Sequence, residues 1–363
     1  MKKYILILCC LINNFSFSQY NSSKSDSIFS SYANEKQYMG NVLVAKGKKI
    51  IYQNSFGYSD IDNKIKMDSN SIFYLASLAK PITASAILWL EQERKLNTRD
   101  KITKYLKLPE YNLTIEHLLT HTSGFGDLYQ TIKKYGDTNT VYGNKKLIKL
   151  IYKVKPKLES PIGSKWFYSD INYILLASII ERVSGERYEE CIRNIFYKNS
   201  IYNLEKSSLL LNKVKKTKLS KGFKIKNDSL KIAIKEPEYA FVKTLQNFYG
   251  DGGLFGSIKD LNHWASLLYN DTLFKNSTQE KMFKPYTYSN NEYVKTPWGS
   301  SQCYMWERDM NSNIVNGAKG GDFIGYMGMI VVFPEKELTI IVLSNVQNDN
   351  FWTISSKVYE CIE

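Results

Sequence analysis

Ser77-Leu78-Ala79-Lys80 is the one Ser-x-x-Lys in the chain. On a helix three residues make about one turn, so the hydroxyl and the amine share a face within reach of each other. A serine hydroxyl is a weak nucleophile until a neighbouring base takes its proton. A helix N-terminus adds a positive dipole and unpaired N–H groups that suit a developing oxyanion. The pattern therefore reads as acyl transfer through a serine.

Other residue types point elsewhere or nowhere when taken singly. His117 and His121 are spaced i, i+4 as in metal-binding helices. The helical zinc-protease pattern, however, needs Glu directly after the first His, and Leu118 stands there. No second group of ligating residues lies nearby, so the segment to Gly124 reads as a helix end closing at a Ser-Gly turn and packing beside the nucleophile. His263 reads as structural. No metal and no cofactor are expected. Tyr168-Ser169-Asp170 precedes an amphipathic stretch, where Asp170 is placed to cap a helix. Lys319-Gly320-Gly321 reads as a glycine turn that lets backbones approach closely. The glycines of Asp251-Gly252-Gly253-Leu254-Phe255-Gly256 lack the following Lys-Ser of a phosphate loop.

These pieces must be positioned by a fold. Gly40–Ala45 and Lys49–Gln53 alternate as two antiparallel strands about the turn 46–48. Ser77–Arg94 suits a buried helix, and helical patterns follow at 28–37, 115–119, 147–152, 172–184, 260–269 and 351–362. Gly185 stops the 172–184 helix. Strand patterns return at 304–307, 326–333 and 338–343, with a turn at 334–337. Strands at both ends and helices between them predict an α+β fold. It is one antiparallel sheet flanked by helices, with a helical subdomain inserted.

The chain has 363 residues, 43% hydrophobic and 23% charged, which is globular composition and excludes a disordered or fibrous protein. The net charge of +14 is spread along the chain with abundant Asn, Ile and Tyr. Without a dense basic block it reads as compositional bias, and no nucleic-acid partner is expected. Lys2 and Lys3 before an apolar run 4–12 and a polar stretch 13–18 have the layout of a secretory signal peptide, with cleavage near Ser18/Gln19. That run is about half of the ~20 residues a membrane span needs. A periplasmic or secreted protein without stable membrane insertion is expected. Cys191, Cys303 and Cys361 would then remain, either as one bridge and a free thiol or as three unpaired cysteines.

Taken together, the motifs resemble the penicillin-recognising serine enzymes: Ser-x-x-Lys, then Tyr-x-(Asn), then Lys-x-Gly. They resemble in particular the branch of class C β-lactamases, D-alanyl-D-alanine carboxypeptidases and related esterases. Segments 73–81, 118–124, 168–170, 179–185 and 252–255 are similar to family blocks, and the likeness spans roughly Gly40 to Asn345. With the signal peptide read at 1–18, it implies a single catalytic domain at 19–363. The α/β part would comprise about 19–95 and 251–363, and the helical part about 96–250. It also implies Ser77 as nucleophile, Lys80 as its partner, Tyr168 as general base and acid, and Lys319 as a cation on the far side of the substrate. The N–H groups of Ser77 and Asp322 would form the oxyanion hole, beside Gly320 and Gly321.

Two positions depart from the family pattern. Asp170 replaces Asn, and an ionised Asp only accepts hydrogen bonds. Gly320 replaces Thr and removes a hydroxyl able to hold a substrate carboxylate. Lowering a lysine pKa from ~10.4 to neutrality costs about 4 kcal/mol, and Asp170 beside Lys80 would oppose it. Two ammoniums, one carboxylate and a Tyr168 phenolate make a neutral cluster, so Tyr168 is expected to be the base while both lysines stay protonated. The substrate would be a D-amino-acid peptide of cell-wall type or a small ester or amide. The alternatives are a class C-like β-lactamase, a penicillin or peptidoglycan binder that does not turn over, or a basic surface protein associated with the cell wall.

Overall fold

The computed structural model describes residues 20–108, 111–198, 205–206, 219–227, 229–245, 247–269 and 271–362. The expected signal peptide lies outside the described residues.

Seven antiparallel strands form the main sheet: β1 (Gly40–Lys46), β2 (Lys49–Phe56), β3 (Ser301–Gln302), β4 (Glu307–Arg308), β5 (Gly317–Phe323), β6 (Tyr326–Phe333) and β7 (Leu338–Ser344). Their order is β3-β4-β5-β6-β7-β1-β2. The N-terminal hairpin is thus seated on the C-terminal strand, with Gly40 opposite Ser344 and Lys46 opposite Leu338. The sheet joining both termini is the one expected from the sequence.

Helices cover both faces, which explains why β6 and β7 read as continuous apolar runs. Val42, Val44, Met329, Val331, Ile340 and Val342 face one layer, made by α1 (Ser22–Asn34) and α10 (Phe351–Ser356). Leu43, Ala45, Ile330, Val332, Ile341 and Leu343 face the other. Alternate residues of a strand point to opposite faces, so a sheet covered on both sides must be apolar at every position. The second layer contains α2 (Ala79–Gln92), α6 (Asp170–Ser184) and α8 (Ile258–Ser266). Nearly every position of α2 from Ala79 to Leu90 is buried, as is α6 from Ile171 to Ile180. A helix that is apolar on all sides belongs inside a protein.

Between α2 and α8 lie α3 (Ile115–Leu119), α4 (Leu128–Tyr135), α5 (Asn144–Val154), α6 and α7 (Tyr188–Phe196), with α9 (Asn276–Phe283) following α8. This middle segment is not purely helical, as the sequence had suggested. Phe223–Lys226 and Ser229–Ile232 form a hairpin whose first strand pairs in parallel with Val346–Gln347. Two further expectations change. The strand expected at 304–307 is instead the turn between β3 and β4, with only Glu307 in a strand, because Tyr304 and Met305 turn the chain, Met305 with φ of 70°. Lys319-Gly320-Gly321 is not a turn but the middle of β5. The described cysteines, Cys191, Cys303 and Cys361, are buried free thiols.

Candidate active site

Ser77 sits in a tight 3-10 turn (Ala76–Leu78) that runs directly into α2, with Lys80 in the first turn of that helix. Ala76 holds φ at 46°. A left-handed conformation costs a residue with a Cβ roughly 1–2 kcal/mol, a strain found where a fold must aim a functional group. β5 presses against this turn. A Cβ on Gly321 would lie 2.9 Å from the Leu75 carbonyl and 3.2 Å from the Leu78 nitrogen, so only glycine permits the approach. β4 pairs with β5 only at Ala318, which leaves the backbone of 320–322 to line the site.

The Ser77 hydroxyl lies 2.7 Å from the Tyr168 hydroxyl and 3.0 Å from Lys80 Nζ. Lys80 is buried and donates also to the Asp251 carbonyl at 2.6 Å and to Asp170 Oδ1 at 2.7 Å. An ammonium has three protons and no acceptor capacity. Here each proton has its own oxygen, so the geometry is that of a charged lysine. Burial alone would lower its pKa, but Asp170, Tyr168 and Asp251 outweigh it and hold Lys80 well above the ordinary value.

Tyr168 is positioned by the segment carrying the paired histidines. The His121 ring lies 4.6 Å from the Tyr168 ring, centroid to centroid. Its Nδ1 accepts from the Asn172 amide at 3.0 Å and from the Ser169 N–H at 3.3 Å, and Ser123 in turn donates to Asn172 at 2.6 Å. His117 has a different task, closing a capping box with Thr114 at the start of α3. The two histidines serve separate neighbours. The His121 segment packs beside Tyr168 rather than beside the serine.

Lys319 approaches from the sheet side. Its ammonium is 5.4 Å from the centre of the Tyr168 ring, and that of Lys80 is 5.1 Å away. Lys319 is 2% exposed and donates at 3.2 Å to Glu307 on β4, itself 7% exposed. The second oxygen of Glu307 accepts from the Trp298 indole. Sequence reasoning missed Glu307, because nothing marks one acid among many as the neighbour of Lys319.

The sequence-based charge count changes accordingly. Lys80 with Asp170 and Lys319 with Glu307 are already neutral, and no phenolate is needed to balance them. Burial pushes the Tyr168 phenol up to about 12 although Lys80 opposes the shift. The resting residue is therefore a neutral phenol, not the phenolate expected from the sequence. Removing its proton at pH 7 costs about 7 kcal/mol. A second missed residue is Asp251, whose carboxyl accepts from its own backbone N–H and that of Gly252. Burial, then Asp170, raise its carboxyl to about 7. It stood beside the glycines that invited a nucleotide reading, and only the fold brings it to Lys80.

The cavity over Ser77 has a volume of about 290 Å³. Tyr74, Leu128, Leu245, Phe248 and Phe323 contribute apolar wall, while Asp170, Gly320, Gly321 and Asp322 complete the lining. Asp322 is exposed and accepts from the Gln347 amide at 2.9 Å. Every site residue expected from the sequence except Lys319 lines this one space, and Lys319 lies behind it against the Tyr168 ring.

Residues 32–352 match the family described as Beta-lactamase. A penicillin-binding protein of Bacillus subtilis (strain 168) is 27% identical over 329 residues, which span 89% of this chain and 71% of that protein. Among solved structures, the octameric penicillin-binding protein homologue from Pyrococcus abyssi superposes with a TM-score of 0.74 at 24% identity, covering 92% of this chain and 76% of that one. Class C beta lactamase from Rhodobacter sphaeroides superposes with a TM-score of 0.69 at 16% identity over 93% of this chain and 98% of that one. These likenesses carry the fold. No helix among the described residues is long and apolar enough to cross a membrane.

Proposed function

The chain belongs to the β-lactamase family, and from that premise we propose that it is an exported serine hydrolase working through an acyl-enzyme at Ser77. The observation that carries this reading is the pair of short contacts at one hydroxyl, 2.7 Å to Tyr168 and 3.0 Å to Lys80. The Lys80 ammonium donates to Ser77 Oγ, so the serine proton is left to point at Tyr168. As Oγ attacks the acyl carbon, that proton passes to Tyr168 and the phenolic proton passes on to the leaving group. Water then attacks the acyl carbon by the reverse relay, which releases the acid and restores Ser77. The backbone N–H groups of Ser77 and Asp322 would receive the oxyanion. No cofactor enters the scheme.

The substrate would be a D-amino-acid peptide of cell-wall type or a small ester or amide. Asp170 and Gly320 disfavour efficient β-lactam turnover, since the first cannot donate to an amide carbonyl and the second brings no hydroxyl to a carboxylate. Family members share a scaffold across several substrates, and the scaffold alone does not choose among them.

The test is the intact mass of the purified protein after incubation with a penicillin and, separately, with a fluorophosphonate, beside Ser77→Ala. A covalent adduct absent from the variant supports the nucleophile. An adduct with the fluorophosphonate alone moves the substrate towards esters and simple amides. Absence of both overturns the reading.

A further inference from the structure

The helical part of the molecule presents one face that folding alone does not account for. Between positions 138 and 158 the chain has six lysines and no acid, against 49 basic and 35 acidic residues in the whole sequence. Half of that stretch is α5, whose Leu147 and Ile151 are buried while Lys145, Lys146, Lys149, Tyr152 and Lys153 are exposed. At about 100° per residue these five side chains share one stripe roughly 120° wide, opposite the buried pair. Tyr152 is 52% exposed, the most open of the described large apolar side chains. Lys157 extends the patch past the helix end, into a cleft lined also by Lys134 of α4, Asp127 and Glu159. Helix stability argues against this arrangement. Lys145 and Lys146 stand in the first turn, where the dipole disfavours cations and no acid offsets them. Lys145, Lys149 and Lys153 repeat at i, i+4 and i+8, which stacks like charges along the stripe. Among the described residues none of the four lysines pairs with a carboxylate, and Lys146 donates only to the Val141 carbonyl.

We infer that this face of α5 binds the surface of an anionic lipid membrane, lying on it without inserting a helix. Each lysine ammonium is a hydrated point charge on a mobile stem, which suits a fluid array of headgroups. Recognition of a fixed phosphate favours the guanidinium fork instead, and no arginine occurs between 138 and 158. An exposed tyrosine among the lysines suits the headgroup level of a bilayer. A convex helix face fits a plane, and it provides no groove for a linear polyanion. The start of α5 ties the patch to the catalytic part. Asn144 donates to the carbonyls of Ile174 and Tyr249, and Phe248, next to Tyr249, lines the cavity over Ser77. A chain held by this face therefore keeps its cavity close to the lipid surface.

The experiment is sedimentation of the protein with vesicles of phosphatidylcholine containing phosphatidylglycerol, and with pure phosphatidylcholine, across a salt series. Binding should require phosphatidylglycerol and weaken as salt rises. A variant combining Lys145→Gln, Lys149→Gln and Lys153→Gln should bind about a hundredfold more weakly, at about fivefold per lysine. Removal of stacked like charges should leave its thermal melt no lower than that of the wild type. A charge-matched control combining Lys48→Gln, Lys66→Gln and Lys275→Gln takes exposed lysines from other parts of the surface and should bind as the wild type does. Tyr152→Ala should weaken binding to vesicles and leave binding to soluble inorganic polyphosphate unchanged. Equal binding of the wild type to both kinds of vesicle, or none to either, overturns the inference whether or not the variants fold. Equal losses in the two triple variants overturn the role of α5 and leave net charge as the cause. Tighter binding to polyphosphate than to vesicles, with no effect of Tyr152→Ala, replaces the membrane with a linear polyanion. None of these readouts depends on turnover at Ser77, so they stand or fall apart from the hydrolase reading.

Discussion

Glu307 accepts a hydrogen bond from Lys319 at 3.2 Å, and neither side chain is open to water. Removing one partner of such a pair leaves an uncompensated charge in the interior. Glu307→Gln should therefore lower unfolding free energy by roughly 3–5 kcal/mol in denaturant titration. Replacing both residues with methionine should cost less than the single change. A loss under about 1 kcal/mol for Glu307→Gln would show the pair to be solvated.

Tyr168 stands between nucleophile and leaving group, so Tyr168→Phe should reduce acylation by about 10²-fold or more in stopped-flow measurements. Near wild-type rates in that variant would remove Tyr168 from the relay and return the role to Lys80.

Asp170 places a negative charge beside the Lys80–Tyr168 pair. In Asp170→Asn the phenolate has one carboxylate fewer to oppose it, so Tyr168 becomes more acidic. The Tyr168 phenol should ionise at lower pH by about one unit or more, read as tyrosinate absorbance in an ultraviolet difference titration against Tyr168→Phe in the same background. An unchanged or higher midpoint would show that Asp170 does not oppose the phenolate.

Asp251 links stability to pH in the direction opposite to a paired carboxylate. Its folded value of about 7 lies above the unfolded value near 3.9, so the folded state keeps a proton that the unfolded state has lost. Its contribution is full below about pH 4 and declines as pH rises through 7. Asp251→Asn removes that decline. The variant should be more stable than wild type at pH 8 by on the order of 1–4 kcal/mol, and the advantage should vanish near pH 4. Thermal melts across this range decide it, and parallel curves for the two proteins would refute it.

His121 touches no substrate in the scheme and acts by holding Tyr168 and α6 in place. His121→Ala should lower kcat by about tenfold or more with little change in KM, as small displacements of a catalytic group do. A change confined to KM would place the histidine in binding instead.

Much of this site was legible because its chemistry is local. Ser77 and Lys80 are one turn apart on a helix that announces itself by an unbroken apolar pattern. Tyr168 and Asp170 stand at the start of another. The sheet was legible from the alternating hairpin at 40–53, from the apolar runs at 326–333 and 338–343, and from their position at both ends of the chain. What sequence could not provide was proximity across the fold. Glu307 reaches Lys319 only because β4 is laid beside β5, with Glu307 opposite Ala318. Asp251 reaches Lys80 through a loop whose glycines have a packing reason: Gly252 faces the Tyr74 hydroxyl, where a Cβ would come to 2.6 Å. The charge state of Tyr168 depended on both acids, so the phenolate expectation failed with them. The strand carrying Lys319 was read as a turn because its glycines, needed for close contact with the nucleophile turn, mask a β pattern.

The seating of the first hairpin on the last strand also sets the order in which the molecule can be completed. β1 pairs with a strand that follows it roughly 300 positions later, and so long a loop must be closed before either edge is satisfied. During synthesis the Ser77 turn emerges early, but β5, which presses on it, and β7, which receives β1, emerge near the end. A growing chain therefore carries its nucleophile turn before it has β5, whose Gly320–Asp322 backbone completes the cavity wall.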